Sequence, residues 1–310
     1  MRKRFVRTWL LAVVALAPFS VATVRANGDL LTLSSVTTIS VPQTADSWAA
    51  GISDHGQMVG SAVVEGSLGL TGWFSDGDRG RFLNVPGASE TTADDINNRG
   101  DVVGAFVESG RTFGYIASSG GGFLRLEALG WEVTYASGVN DRQQVVGHAI
   151  NSDWSSAFLF ETGSYTMLDV PGAISVGAND INNKGQIVGG FFDGEGRLNG
   201  YLYDRGVVTP LLFPGSEHTT LVAINDRGQI IGNYGGAAAN GTFLYSDGVF
   251  SEIAPPDAAL SFFISGINDS GRVVGQYSTL TDSYAFSADL SAIRTKKVPR
   301  GTRPNADRRN

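Results

Sequence analysis

The chain has no cysteine, three methionines and three histidines among its 310 residues. Without thiols there is no disulfide framework, no zinc–thiolate site and no cysteine nucleophile. The histidines, His55, His148 and His218, fall in different stretches with no ligand or triad spacing. They read as solvated loop residues, His218 lying in the loop that enters the fifth repeat described below. Charged residues make up only 17%, too few for long exposed helices. No apolar run reaches the roughly 20 residues needed to cross a bilayer. G-x-S-x-G, H-E-x-x-H and phosphate-binding loops are absent, as is helical periodicity beyond the first 26 residues.

What is abundant is glycine, 41 residues, in a chain that is 42% hydrophobic. That balance suits a large core and many tight turns. The net charge of −7 hides a gradient. Arg2, Lys3, Arg4, Arg7 and Arg25 open the chain, and Arg294, Lys296, Lys297, Arg300, Arg303, Arg308 and Arg309 close it. Residues 27–293 keep 11 of the 23 basic groups and 29 of the 30 acidic ones, a net of −18. Such a body repels nucleic acid.

The basic start is followed by the apolar run Trp9–Pro18 and by small residues, with Val24-Arg25-Ala26 or Ser20-Val21-Ala22 as the cleavage site. Residues 1–26 therefore read as a bacterial export signal, and the mature chain is expected in the periplasm or outside the cell, with no transmembrane segment.

One nine-residue phrase recurs six times: Ile52–Gly60, Ile96–Gly104, Val139–Gly147, Ile181–Gly189, Ile224–Gly232 and Ile267–Gly275. The starts lie 44, 43, 42, 43 and 43 residues apart. Each copy joins a run of small residues to a β-branched run through Asn-Asp/Asn-x-Gly, the signature of a tight hairpin; Gln143 replaces the glycine once. A third run carries a small residue and then an aromatic: Trp73, Tyr115, Phe158, Tyr201, Phe243 and Phe286. Aromatics at strand spacing predict core. A fourth run ends in Val-Pro-Gly or a relative, because proline cannot donate to a ladder.

Four strands in about 43 residues, six times over, predict an all-β, six-bladed β-propeller over 27–293. The mature chain opens on a lone fourth run, Val36–Pro42, while the last repeat weakens after Phe286. The N-terminal strand is therefore expected to close the ring. The rival is Ile293–Pro299, which is crowded with charge; 294–310 is read as a disordered basic tail.

These repeats resemble the HAF-repeat family of extracellular bacterial proteins. Its phrase is matched at Gly266-Ile267-Asn268 and Gly185-Gln186-Ile187-Val188-Gly189, and its Val-Pro-Gly-Ala turn at Val85–Ala88 and Val170–Ala173. The His-Ala-Phe that names the family is reduced here to Ala157-Phe158 and Ala285-Phe286. The likeness spans about residues 36–286. It implies secretion and a β architecture, and no reaction.

Sites on a repeat scaffold should show where copies disagree. The ring Asp54, Asn98, Asp141, Asn183, Asp226 and Asp269 is repeated and reads as turn-making. The position before each phrase is Gly51, Asp95, Gly138, Asp180, Ala223 and Gly266. Asp95 and Asp180 stand out as channel carboxylates. With Asp94 and Asn179 they are candidate ligands for a hard cation, although two or three oxygens are few. With Glu132 and Glu217 they are candidates for glycosidase-like acid–base work. Trp131 and Trp154 could stack on a sugar. The function expected is a non-catalytic, cofactor-free binding module for an extracellular glycan or protein, using Asp95, Asp180, Trp131, Trp154 and His218, and acting as a monomer. A polysaccharide lyase or hydrolase and a structural envelope protein are the alternatives.

Overall fold

A computed structural model describes residues 29–292 apart from Leu68, Asp78, Asp153, Ala238, Asp257, Ala258 and Thr281. The expected signal peptide, the basic tail and Ile293–Pro299 lie outside the described residues. Every regular element within them is a strand.

Each phrase forms the hairpin its turn residues predict. The first strands are Thr44–Ile52, Asp95–Ile96 (preceded by Glu90–Thr91), Val133–Val139, Ala173–Ile181, His218–Ile224 and Ser261–Ile267. Each pairs antiparallel with a second strand: Met58–Val64, Val102–Glu108, Val145–Ile150, Ile187–Asp193, Ile230–Gly235 or Arg272–Ser278. The turn glycines Gly56, Gly100, Gly185, Gly228 and Gly271 sit at φ 78–84°, where a Cβ is unwelcome, and Gln143 takes the same region at 58°. The third strands are Leu70–Ser75, Arg111–Ala117, Ser155–Glu161, Leu198–Asp204, Gly241–Ser246 and Ser283–Ala292. Five fourth strands follow: Arg81–Leu83, Phe123–Leu126, Ser164–Met167, Val207–Leu211 and Val249–Ile253. Beside the last third strand lies Leu31–Thr38 instead, antiparallel, with Leu31 opposite Ala292 and Thr38 opposite Phe286.

All six third-run aromatics are fully buried, each worth about 2–3 kcal/mol of apolar burial. The first-strand carbonyl that crosses above them, with the ring beside it in five copies, explains why every phrase ends in glycine. A Cβ on Gly147 would stand 1.9 Å from the Tyr135 carbonyl oxygen and 3.0 Å from the Phe158 ring. The cores lie between repeats. Val146, Ala157, Leu168 and Val170 of the third pack with Ala178, Ile181, Ile187 and Tyr201 of the fourth. Ile39, Val41, Val274 and Ala285 likewise pack with Ala49, Ile52, Met58 and Trp73, so the last repeat shares a core with the first.

The meander sends the phrase turns and the third-to-fourth turns to one end, called here the turn end. The second-to-third loops and the fourth-to-first connections gather at the opposite, loop end.

Candidate functional site

At the turn end the asparagines and aspartates do more than shape turns. The first asparagine does that work: Asn97 Oδ1 accepts the Arg99 and Asp101 amides at 3.0 and 2.9 Å. Its Nδ2 donates onward to the Asn140 carbonyl. Asn140, Asn182, Asn225 and Asn268 repeat that link at 3.0–3.1 Å, the last reaching Ser53. The second residue carries an outer circuit. The Asp54 amide donates to Asn98 Oδ1, and the circuit continues through Asp141, Asn183, Asp226 and Asp269 back to Asp54, with every link 2.7–2.8 Å. The expectation that this ring merely makes turns is thus corrected: its side chains couple each repeat to the next.

Along the axis the first strands carry β-bulges. The register slips between Ala49 and Gly51, Ala136 and Gly138, Ala178 and Asp180, Leu221 and Ala223, and Ile264 and Gly266. A bulge aims its extra residue away from the ladder. Here Ala50, Ser137, Asn179, Val222 and Ser265, with Asp94 at the matching place, line an axial cavity of about 30 Å³. Sequence reasoning brought Asp94, Asp95, Asn179 and Asp180 to one site, and they do meet there. It missed that the lining is set two residues before each phrase, and the smallness of both positions was the available sign. A second cavity, about 70 Å³, lies beneath the asparagine–aspartate ring. The axial cavity holds a few waters, not a sugar ring.

Both axial aspartates are held by amides of the following repeat. Asp95 Oδ2 accepts the Val139 amide at 2.8 Å, and Asp180 Oδ2 accepts the Ile224 amide at 2.7 Å. Asp180 Oδ1 also accepts the Ile181 amide at 2.7 Å. Each faces a glycine: a Cβ on Gly51 would lie 2.6 Å from Asp95 Oδ1, and one on Gly138 would lie 2.7 Å from Asp180 Cα. The carboxyls keep some surface on the small cavity, but protein encloses them and desolvates the charged form. Burial pushes Asp94 up to about 7 against the hydrogen bond from Thr92, and Asp180 up to about 6 against its amide bonds. Asp95 is raised well above the usual carboxylate range, by burial first and the Asp180 charge second. Among the described residues, no group of three or more His, Asp or Glu side chains comes together in an arrangement able to hold a metal ion.

The remaining candidates are elsewhere. Trp131 is half-buried and packs on the cluster around Leu126 and Phe158. Trp154 is 57% exposed at the loop end. His218 begins a strand rather than preceding one; it is exposed, and its Nδ1 accepts the Leu198 amide at 3.3 Å. Glu132 and Glu217 are exposed at the same end. His148 corrects the loop reading. It lies inside Val145–Ile150 against the Tyr135 ring, its Nδ1 is buried without a partner, and burial lowers its pKa to about 4.

No family model matches the chain, and no curated protein matches it. Solved structures do. The chain is similar to the β-propeller domain of the Trilobed protease from Pyrococcus furiosus at 14% identity and TM-score 0.51, covering 80% of this chain and 84% of that one. It is similar to TolB from Acinetobacter baumannii at 12% identity and TM-score 0.50, covering 71% of this chain and 61% of that one. A streptogramin B lyase aligns at 14% identity and TM-score 0.49, over 84% and 88%. At such identities the likeness speaks for fold alone. The fold is a β-propeller. Among the described residues of this propeller, no helix is long and apolar enough to cross a membrane.

The loop end differs from the axis. Leu129 and Leu280 are each 89% exposed, and Ile174, Trp154, Leu260 and Leu212 are 49–61% exposed. Five of them sit on connections at that end of the propeller, and Ile174 is the second residue of the strand Ala173–Ile181 that starts there.

Proposed function

We propose that this propeller is an exported, non-catalytic binding module whose loop end grips another extracellular protein. It has six blades, and Leu31–Thr38 closes the ring by serving as the fourth strand of the last blade. The outer hydrogen-bond circuit, which returns from Asp269 to Asp54, supports that count and closure. Export rests on the basic–apolar–small pattern of residues 1–26 and on the HAF-repeat resemblance.

The observation that carries the reading is the set of large apolar side chains standing in solvent at the loop end, above an axis with room only for waters. Apolar and aromatic anchors framed by polar groups are what a protein partner buries. The axial carboxylates support a structural role, since their oxygens are engaged by neighbouring amides and a polymer chain has no room beside them.

The test combines binding to the intact cell envelope, before and after protease or glycosidase treatment, with reducing-end assays on polysaccharides. Binding should vanish after protease treatment and fall at least tenfold in a Leu129→Ser, Ile174→Ser, Leu280→Ser triple variant whose melting is unchanged. Loss after glycosidase alone would make the ligand a glycan. Polysaccharide turnover abolished by Asp95→Asn would make the protein an enzyme and overturn the proposal.

A further inference from the structure

Charge is unevenly divided between the two ends of the propeller. Among the described residues, the connections at the loop end carry six exposed carboxylates, those of Glu65, Glu132, Asp169, Glu195, Glu217 and Asp282. Their one basic residue, Arg197, is held by Asp193 and Glu195. Arg111, which opens a strand there, is held by Glu127 at 2.8 Å. The turns at the other end are nearly balanced: Arg79, Arg99, Arg142, Lys184, Arg205 and Arg227 stand against seven carboxylates. The loop end therefore presents a negative field that the turn end does not.

These carboxylates are interleaved with the apolar side chains. Glu132 follows Leu129, Glu217 follows Leu212 and Asp282 follows Leu280, each in the same connection, and Asp169 shortly precedes Ile174. A partner that covers the leucines brings its own rim against the carboxylates beside them and strips part of their water. Taking water from an unpaired carboxylate is costly. Lysine or arginine set opposite removes that cost, and the field speeds the encounter of such a surface. An acidic partner meets the same field as repulsion, and a wholly apolar one leaves the carboxylates unpaired.

We propose that the loop end grips a basic protein surface, one in which apolar side chains are framed by lysine and arginine. This rests on the reading of the loop end as a protein-binding face and adds the chemistry of what binds. The apolar anchors hold the complex together, and the carboxylates select and steer its partner. Steering of this kind weakens as salt screens the field.

Two synthetic amphipathic helical peptides, tested on the full chain by surface plasmon resonance, decide this. Both carry leucine at the same positions, and one has lysine and the other glutamate at the polar positions. The lysine peptide should bind and the glutamate peptide should not. Glu132→Gln with Glu217→Gln should weaken the lysine peptide by about fivefold or more, mainly through slower association. Both side chains are exposed, and glutamine keeps the oxygen that accepts the Ala237 amide, so the fold is kept. In about 0.5 M salt, where screening acts within about 4 Å, the difference should shrink. Leu129→Ser with Leu280→Ser should act mainly by faster dissociation. Asp76→Asn with Asp247→Asn removes the same charge from exposed turn-end positions and should change nothing. Equal binding of the two peptides, binding of neither, or an equal loss from the turn-end pair overturns the proposal. Lysine-peptide binding that ignores the leucines overturns it too, as a general attraction to an acidic body. So does envelope binding that the triple variant of Leu129, Ile174 and Leu280 abolishes but the carboxylate pair leaves intact, an outcome that spares the protein-binding reading.

Discussion

Replacing Asp94 with asparagine should stabilise the protein at alkaline pH and leave it nearly unchanged at acid pH. Asp94 sits in the axial cavity near Asp95 and Asp180, and burial raises its pKa from 3.8 to about 7. A carboxyl whose folded pKa is raised favours folding while it is protonated in both states. That contribution is whole below the unfolded value near 4 and is lost as pH climbs to about 7. A shift of about three units corresponds to about 4 kcal/mol at pH 8, as an upper figure. Asparagine keeps the neutral shape, and its Oδ1 can accept the Thr92 hydroxyl as Asp94 Oδ2 does. Differential scanning calorimetry at pH 4 and pH 8 should therefore show the two proteins melting together in acid. At pH 8 the variant should melt higher by about 10 °C, taking roughly 2–4 °C per kcal/mol for a domain of this size. A variant equal to or below the parent at pH 8, or a gap of the same size at both pH values, would refute the account of a buried, reluctantly charged carboxyl.

Two further perturbations probe the ring. Asp141→Ala removes the acceptor for the Asn98 amide and for the Nδ2 groups of Asn98 and Asn183; urea unfolding should show a loss of about 3–6 kcal/mol, at roughly 1–2 kcal/mol for each of the three partly exposed bonds, while Asp141→Asn should cost less than half of that. Deleting residues 27–43 takes away Leu31–Thr38 and the buried Ile39 and Val41, and should abolish the cooperative melting transition; a calorimetric peak unchanged in enthalpy would show that the ring holds without its N-terminal strand.

The sequence by itself determined the repeat, its hairpins and its core. A turn needing φ > 0 selects glycine, and a pleated strand alternates its faces, so Gly228 and Phe243 could be placed without coordinates. It also singled out Asp94, Asp95, Asn179 and Asp180, because they depart from the copies around them. Tertiary structure decided what these residues do. The asparagine–aspartate ring looked like turn chemistry because its partners lie 42 to 44 residues away, or 215 across the join of the chain ends. Only the packing of the last repeat against the first brings the Asp269 amide to Asp54. The bulge that aims Asp94 and Asn179 into the axis is a register slip, invisible to period-2 reading. His148 looked like a loop residue because its strand runs three residues past the end of the phrase; burial followed from the neighbouring blade, whose Gly177 leaves room for its ring. Local preference writes the blade, whereas the spacing between blades sets which polar groups meet and which lose water. Chemistry at the axis and at the ring depends on that spacing, which no single repeat contains.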